Sequence, residues 1–334
     1  ILATSIRMEM LMLKRLYTIG EALIDFIPSE QGRKLKDVDG FEPQVGGAPA
    51  NVAAAHAILG GESHLLTQLG PDAFGDRILE LLEAKGVHTA YITRTHEANT
   101  GLAFVSLDEA GNRDFSFYRN PSADLLYDSA AISGIDFAKS DLLHFCSVDL
   151  VESVMKETHW TVIQRVKEAG GTIVFDPNIR LPLWEDEEAC RKAVREFMGF
   201  ADIIKVSDEE LEFITGISGE SAALGALFTG DTEAVIYTKG PLGSEIIFRE
   251  GGRCEHRGFE VETIDTTGAG DAFIGAVLRK LSSDSGPALE ILRQNGPEVL
   301  RFANAVGALS TSKRGAITSI PEQGEVEAFI RDCR

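Results

Sequence analysis

The sequence predicts an α/β protein with a mainly parallel central sheet and a small second sheet outside it. Three observations carry that prediction. From about residue 150 to 320, short β-rich runs alternate with helical stretches, the texture of βαβ units. Earlier, several short strands follow one another with few long helices between them. Near the end, the glycine turn Gly268-Ala269-Gly270 opens directly into an apolar helical run.

The elements follow in order. Leu23–Ile27 and Gly40–Val45 read as strands, and Pro49–Leu59 as a helix with proline in its first turn. Asp72–Lys85 is a second helix of the main body. Tyr91–Thr95, Leu102–Leu107 and Arg113–Tyr118 read as further strands, with Asp108-Glu109-Ala110-Gly111-Asn112 as a hairpin turn. The strands of this region are expected to assemble into the small sheet. In the later half, Gly171–Phe175, Asp202–Val206 and Ala234–Thr238 read as strands. Helices are expected near 151–169, 186–199 and 208–215, with a late one over Glu298–Ser312. The main body is thus expected over 16–321, with the small sheet inserted discontinuously at about 23–45 and 91–120. Residues 1–13 are expected to be disordered or extraneous to the natural start, because the chain begins at Ile1 with Met8, Met10 and Met12 close by.

Composition excludes some functions. The chain has 334 residues, a net charge of -20 and a pI of about 4.8, which argues against non-specific binding to nucleic acid or anionic membrane. An anionic substrate would need a local basic pocket. The acidity also suits a protein kept soluble at high salt, although an ordinary solvated acidic surface is the plainer and preferred account. Cys146, Cys190, Cys254 and Cys333 show no Cys-x-x-Cys or zinc spacing and read as reduced thiols of a cytoplasmic protein. Arg7 and Glu9 interrupt the apolar start, so it does not read as a signal peptide, and no apolar run reaches membrane-spanning length.

The chemistry concentrates in Asp265-Thr266-Thr267-Gly268-Ala269-Gly270-Asp271-Ala272-Phe273. A helix amino terminus offers unpaired N–H groups and a positive dipole end, a seat for an anion. A carboxylate in a phosphate seat repels phosphate, unless it takes a proton from the hydroxyl that attacks the phosphate. Asp271 is therefore read as a general base for phosphoryl transfer to an alcohol. The plainer alternative is a favourable charge at a helix dipole. A dinucleotide fingerprint would need glycine at Phe273, and a P-loop would need a Gly-Lys pair that the chain lacks. The ends of the parallel strands, Asp176-Pro177-Asn178, Ser207–Glu210 and Thr238-Lys239-Gly240, mark the side on which a ligand sits.

Two signatures in order carry a resemblance over about Leu16 to Pro321. Gly46-Gly47-Ala48-Pro49-Ala50-Asn51-Val52-Ala53 is similar to the amino-terminal signature of the ribokinase-like (PfkB) carbohydrate kinases, and Asp265–Phe273 to their carboxyl-terminal one. Gly20–Asp25, Phe117–Asp124 and Lys205–Leu211 resemble fructokinase segments most closely. The resemblance implies a three-layer α/β/α sandwich with the small sheet as a lid. It implies the reaction of fructose with MgATP to give fructose 6-phosphate and ADP. Asp271 would be the base, and the N–H groups around Gly268, Ala269 and Gly270 would hold the migrating phosphoryl group. Kinases of 2-keto-3-deoxygluconate, ribose or a nucleoside are the alternatives within the family. A catalytically silent sugar- or nucleotide-binding regulator is the alternative outside catalysis.

The same resemblance assigns other residues. Asp25, Gly46, Gly47 and Asn51 would contact sugar, with Phe104 as an apolar wall and Arg119 and Arg180 as polar contacts. Asn178 and Glu210 would lie on the phosphate–magnesium side, Glu210 acting through water. Ser207 stands where many members carry asparagine. Thr238, Gly240, Gly243, Asn304 and Gly307 would bind nucleotide. Asp265, Thr267, Ser310, Lys313, Gly315 and Ser319 match a monovalent-cation site, for potassium. Each has a plainer alternative: turn or cap geometry for the glycines, strand packing for Phe104, an exposed cation for Arg119, and an ion pair with Glu185–Glu188 for Arg180. A lid sheet leaves edges to cover, which a lid-to-lid dimer would do, with a monomer as the alternative.

Overall fold

A computed structural model describes residues 14–30, 32–107 and 113–333. The expected hairpin turn at Asp108–Asn112 and the expected start at 1–13 lie outside the described residues. In chain order the first strands are β1 (Arg15–Ile19), β2 (Leu23–Pro28), β3 (Phe41–Gly46), β4 (Glu62–Leu69), β5 (Ile92–Arg94), β6 (Gly101–Leu107) and β7 (Arg113–Tyr118). They are followed by β8 (Leu142–Cys146), β9 (Thr172–Asp176), β10 (Ile203–Ser207), β11 (Ala234–Thr238), β12 (Ser244–Phe248) and β13 (Arg253–His256). The helices begin with α1 (Ala48–Ile58), α2 (Ala73–Ala84), α3 (Val154–Ala169), α4 (Glu187–Met198) and α5 (Asp208–Thr215). They end with α6 (Glu220–Ala226), α7 (Ala269–Ser282), α8 (Ala288–Thr311) and α9 (Gln323–Asp332).

The main sheet runs β13-β12-β11-β10-β9-β8-β1-β4-β5. It is parallel from β11 to β5, with β12 and β13 antiparallel at one edge. Its strands are apolar on both faces, as a sheet covered on both sides requires. Val174, Ile203 and Ala234 face the layer of α1, α7 and α8. Ile173, Ile204 and Val235 face the layer of α3 and α4. The expected sandwich with a mainly parallel sheet is present.

The small sheet runs β3-β2-β6-β7, with β2 and β6 parallel and its other pairs antiparallel. One expectation is corrected here. Ile92–Arg94 does not join the small sheet but pairs parallel with β4 at the edge of the main one. A three-residue strand carries too little pattern to show which partner it takes. The late helix also starts earlier than expected, at Ala288, and runs through Pro297. Proline reads as a helix start because it lacks the N–H of an interior position.

α1 and α7 pack unusually closely. α1 is rich in alanine and buried from Ala48 to His56. A Cβ placed on Gly275 of α7 would lie 2.5 Å from the Ala55 Cβ and 3.2 Å from the Val52 carbonyl oxygen. This contact fixes α7, and with it the helix start that carries Asp271, against the helix that carries Asn51. Gly275→Val is expected to destabilise the protein by about 1–3 kcal/mol through overpacking. A lower urea midpoint with an unchanged m-value would show it.

Candidate active site

α7 begins after Gly268, whose φ of 73° and whose approach to Ala316 exclude a side chain. Asp271 falls in the first turn and is 7% exposed. The Asn51 Nδ2 donates to its Oδ2 at 2.8 Å, and the Asn178 Nδ2 donates to its Oδ1 at 3.0 Å. Both oxygens are thus held by amides from distant parts of the chain. Burial raises the pKa of Asp271 above the ordinary carboxylate range, while Asn51, Arg180, Lys205 and Asn178 oppose that rise.

Asn178 reaches Asp271 from an unusual backbone, with φ of 45°. Glu210 holds that loop. Its Oε1 accepts from the Ile179 N–H at 2.8 Å, and its Oε2 accepts from the Ser207 N–H at 3.0 Å and the Ser207 hydroxyl at 2.8 Å. Burial would raise its pKa, but Lys205 and these hydrogen bonds bring it below the usual value. Ser207 and Glu210 thus form a capping box that starts α5. Both Glu210 oxygens are thus engaged within the protein.

Lys205 was quoted in the sequence without a role. Its Nζ lies 3.0 Å from the Asp176 Oδ2, and both groups are buried. Burial pushes Asp176 up to about 7, with Lys205 opposing. Burial would lower Lys205, yet Asp176 and Glu210 hold it above its ordinary value, so it stays a cation. A Cβ on Gly270 would lie 3.5 Å from the Lys205 Nζ, which puts this charge beside the turn. A lysine in the apolar run Ile203–Val206 is the signal that could have marked it.

The cavity over Asp271 is lined by Glu21, Asp25, Gly47, Asn51, Asn178, Arg180 and Thr267, among others. The small sheet contributes Leu23, Asp25 and Ile27 from β2, with Val105 and Phe117 from β6 and β7. Phe104, expected as an apolar wall, faces the other way. It stacks on Phe26 at 4.6 Å and meets Phe41 and Tyr118, because successive strand residues alternate faces. Arg119 is corrected as well. It is buried, ion-paired to Asp124 and Asp149, and not among the residues that line the cavity. Burial would lower its pKa, but these carboxylates and Glu21 hold it raised. Glu21 lines the cavity, and its Oε1 accepts from the Ala48 N–H at 2.8 Å.

Several expected contacts prove to be shaping residues. A Cβ on Gly46 would lie 2.0 Å from the Asp25 Oδ2, and one on Gly47 would lie 2.6 Å from the Glu21 carbonyl oxygen. The Ala269 N–H, expected to hold phosphoryl, donates back to the Thr266 carbonyl at 3.3 Å. Arg180 lines the cavity and donates to the Ile179 carbonyl at 2.9 Å.

On the nucleotide side, Thr238 ends β11, and Gly240 and Gly243 flank a tight turn into β12 with φ of 50° and 104°. A Cβ on Gly243 would lie 2.2 Å from the His256 carbonyl oxygen, so that glycine serves the turn. Asn304 ties α8 to this edge: its Oδ1 accepts from the Ser244 hydroxyl at 3.0 Å and its Nδ2 donates to the His256 carbonyl at 3.1 Å. Gly307 faces the start of α7, near the Ala269 carbonyl oxygen.

The six cation-site positions divide. The Asp265 Oδ1 accepts from the Thr267 N–H at 2.9 Å, and its Oδ2 accepts from the Gly315 N–H at 3.0 Å, which knits two loops together. The Ser310 and Ser319 hydroxyls donate to carbonyls in their own turns, at 2.7 and 2.9 Å. Lys313 is directed to Glu325 at 3.4 Å on the surface, so its side chain takes no part.

Comparisons with known proteins place the chain in a family. The model of the pfkB family of carbohydrate kinases matches residues 13–323. Fructokinase-2 of Solanum lycopersicum is 40% identical over 318 residues, 94% of this chain and 95% of its own. The crystal structure of a fructokinase with bound ATP from Xylella fastidiosa superposes with a TM-score of 0.88 at 33% identity, covering 96% of this chain and 99% of its own. A fructokinase double mutant from Vibrio cholerae O395, with fructose, ADP and a potassium ion bound, has a TM-score of 0.85 at 33% identity, over 95% and 98%.

Lys205→Met is expected to destabilise the protein by about 3–5 kcal/mol, because it leaves Asp176 buried beside Asp271 without its cation. Chemical denaturation checks this, and adding Asp176→Asn should recover part of the loss.

Proposed function

The chain belongs to the pfkB family of carbohydrate kinases, phosphotransferases that act on a sugar hydroxyl, and on that premise we propose that it phosphorylates fructose. The reaction is fructose plus MgATP to fructose 6-phosphate plus ADP. The observation that carries the reading is the Asp271 carboxylate, held by Asn51 and Asn178 at the floor of a cavity walled by Val105 and Phe117. Intact catalytic machinery of this kind is not what a silent regulator would keep. The relatives named fructokinase support fructose over the other acceptors.

The steps follow from the residues. Asp25, with Glu21 and Asn51 beside it, accepts hydrogen bonds from sugar hydroxyls. The primary hydroxyl faces Asp271, which removes its proton as the oxygen attacks the terminal phosphorus of ATP. The bond to ADP breaks as the new one forms. Gly268 and Gly270 leave the backbone open to the phosphoryl group at the amino end of α7, where the dipole favours the developing negative charge. Lys205 and Arg180 add fixed positive charge close by. The lid excludes water, which would otherwise compete as acceptor.

Magnesium would be carried in with the nucleotide and would neutralise phosphate charge, its protein contacts reached through water near Glu210. A potassium ion would be held by Asp265, Thr267 and Gly315, which already join the loop before α7 to the loop after α8. Its part is to steady that helix start. The base of ATP is expected along Thr238, Gly240 and Gly243, toward Asn304 and Gly307. Leu242 and Ile264 are exposed large apolar residues on bordering loops and offer it apolar contact. Pairing of two lids would cover the exposed Tyr118 and supports a homodimer. Four unpaired cysteines support a reducing, cytoplasmic setting. Among the described residues, no helix is long and apolar enough to cross a membrane.

Asp271→Asn is expected to lower kcat by at least ~100-fold while sugar and ATP still bind. Retention of most of kcat would remove Asp271 from the base role. Asn51→Ala is expected to lower kcat about 10- to 100-fold, the range for a lost hydrogen bond to a charged group. The sign of its pH effect is fixed. Burial already raises Asp271, and the base is lost as pH falls through its pKa. Removing the Asn51 donor raises that pKa further, so the acid limb of the kcat profile should move to higher pH. In an ADP-release assay with fructose, ribose, 2-keto-3-deoxygluconate and adenosine, the highest kcat/KM is expected for fructose. A higher value with another acceptor would keep the kinase and replace the sugar.

A further inference from the structure

A second cleft, of about 720 Å³, opens between α7, α8 and α9. Arg279 and Lys280, at the end of α7, stand eight residues or more beyond Asp271, which is about 12 Å along the helix axis. Arg301 comes from α8, Arg331 from α9 and His256 from β13. Two carboxylates, Glu298 and Glu327, share the walls. Four permanent cations thus face two carboxylates, on a chain whose net charge is -20.

The pairing of these groups points the same way. Lys280 lies 3.4 Å from Glu298, and Glu327 accepts from the Gln323 amide at 2.8 Å. No ion pair holds Arg279, Arg301 or Arg331 among the described residues. The Arg279 Nε donates to the Leu59 carbonyl at 2.7 Å, and the Arg301 Nη2 donates to the Ile330 carbonyl at 3.0 Å. The Arg279 and Arg301 guanidinium groups are therefore fixed by backbone, with further N–H groups left to give. Burial lowers the pKa of Arg279, and no carboxylate offsets it. Such a half-buried, unneutralised arginine is costly unless an anion completes it. Phe302 and Ile330 supply apolar surface beside the charges. The volume is that of a small-molecule site.

We propose that this cleft binds a phosphate-bearing small molecule, of sugar-phosphate or nucleotide size, at a site separate from the catalytic cavity. Guanidinium groups match phosphate oxygens in pairs, which a carboxylate-rich surface elsewhere on the chain does not. His256 forms the rim toward the nucleotide side, where its carbonyl already accepts from Asn304.

The test is calorimetric titration of inorganic pyrophosphate, at low ionic strength, into the full chain with its ATP site saturated by a non-hydrolysable ATP analogue. About one further equivalent is expected to bind. The double variant Lys280→Glu/Arg331→Glu should weaken that binding at least about tenfold, with its circular dichroism unchanged. If the double variant does not fold, Arg331→Gln replaces it, and a loss of at least about threefold is expected. Absence of saturable binding, or an affinity that the folded variant leaves unchanged, overturns the proposal.

Discussion

The site depends on one carboxylate with both oxygens held. Asn51 enters from α1, Asn178 from the loop after β9 and Asp271 from the start of α7, so the clamp joins segments 220 and 93 residues apart. Nothing local enforces that meeting. It requires α1 to lie flat against α7, which Gly275 and the alanines of α1 allow. It also requires the loop after β9 to hold Asn178 with a positive φ, which Glu210 enforces by gripping Ile179 on one side and Ser207 on the other. The two amides orient the carboxylate and oppose the rise that burial gives its pKa.

Around that clamp, charge is arranged in buried pairs rather than left to solvent. Lys205 answers Asp176 beside the turn at Gly270, and Arg119 answers Asp124 and Asp149. The overall acidity of the chain therefore says little about the field at the reaction centre. Arg180 and Lys205 both act on Asp271 from close by. An anionic substrate meets these cations at the carboxyl ends of the strands, where a parallel sheet collects its functional loops.

Much of this was legible in the residues. The alternation of strand and helix after residue 150 carries the parallel sheet, and Gly268–Asp271 carries the chemistry. What was not legible has identifiable causes. Phe104 and Val105 are adjacent on β6, and only the pairing of β2 with β6 decides which of them faces the cavity. Arg119 looks like a surface cation until Asp149, thirty residues later, is placed beside it. Gly46 and Gly47 announce close approach, but not that the neighbours are Asp25 and the Glu21 backbone. β5 is too short for its pattern to choose between two sheets. Lys205 was visible as a charge in an apolar strand, and its meaning came only with Asp176.

The opposed walls of the sugar cavity differ in how freely they can vary. The floor is locked, because Asn51 and Asn178 are committed to Asp271. The lid side is Leu23, Asp25 and Ile27 of β2 with Val105 and Phe117 of β6 and β7, presented by a sheet that contains neither the base nor its amides; there only Asp25 is fixed, by the close approach of Gly46. Mutational drift in the lid can thus reshape the acceptor while the proton-transfer apparatus is inherited intact. In evolutionary terms the base with its two amides and the β6–β7 wall of the lid are separate modules, one conservative and one exploratory, and diversification toward new sugars has a route that does not pass through loss of catalysis.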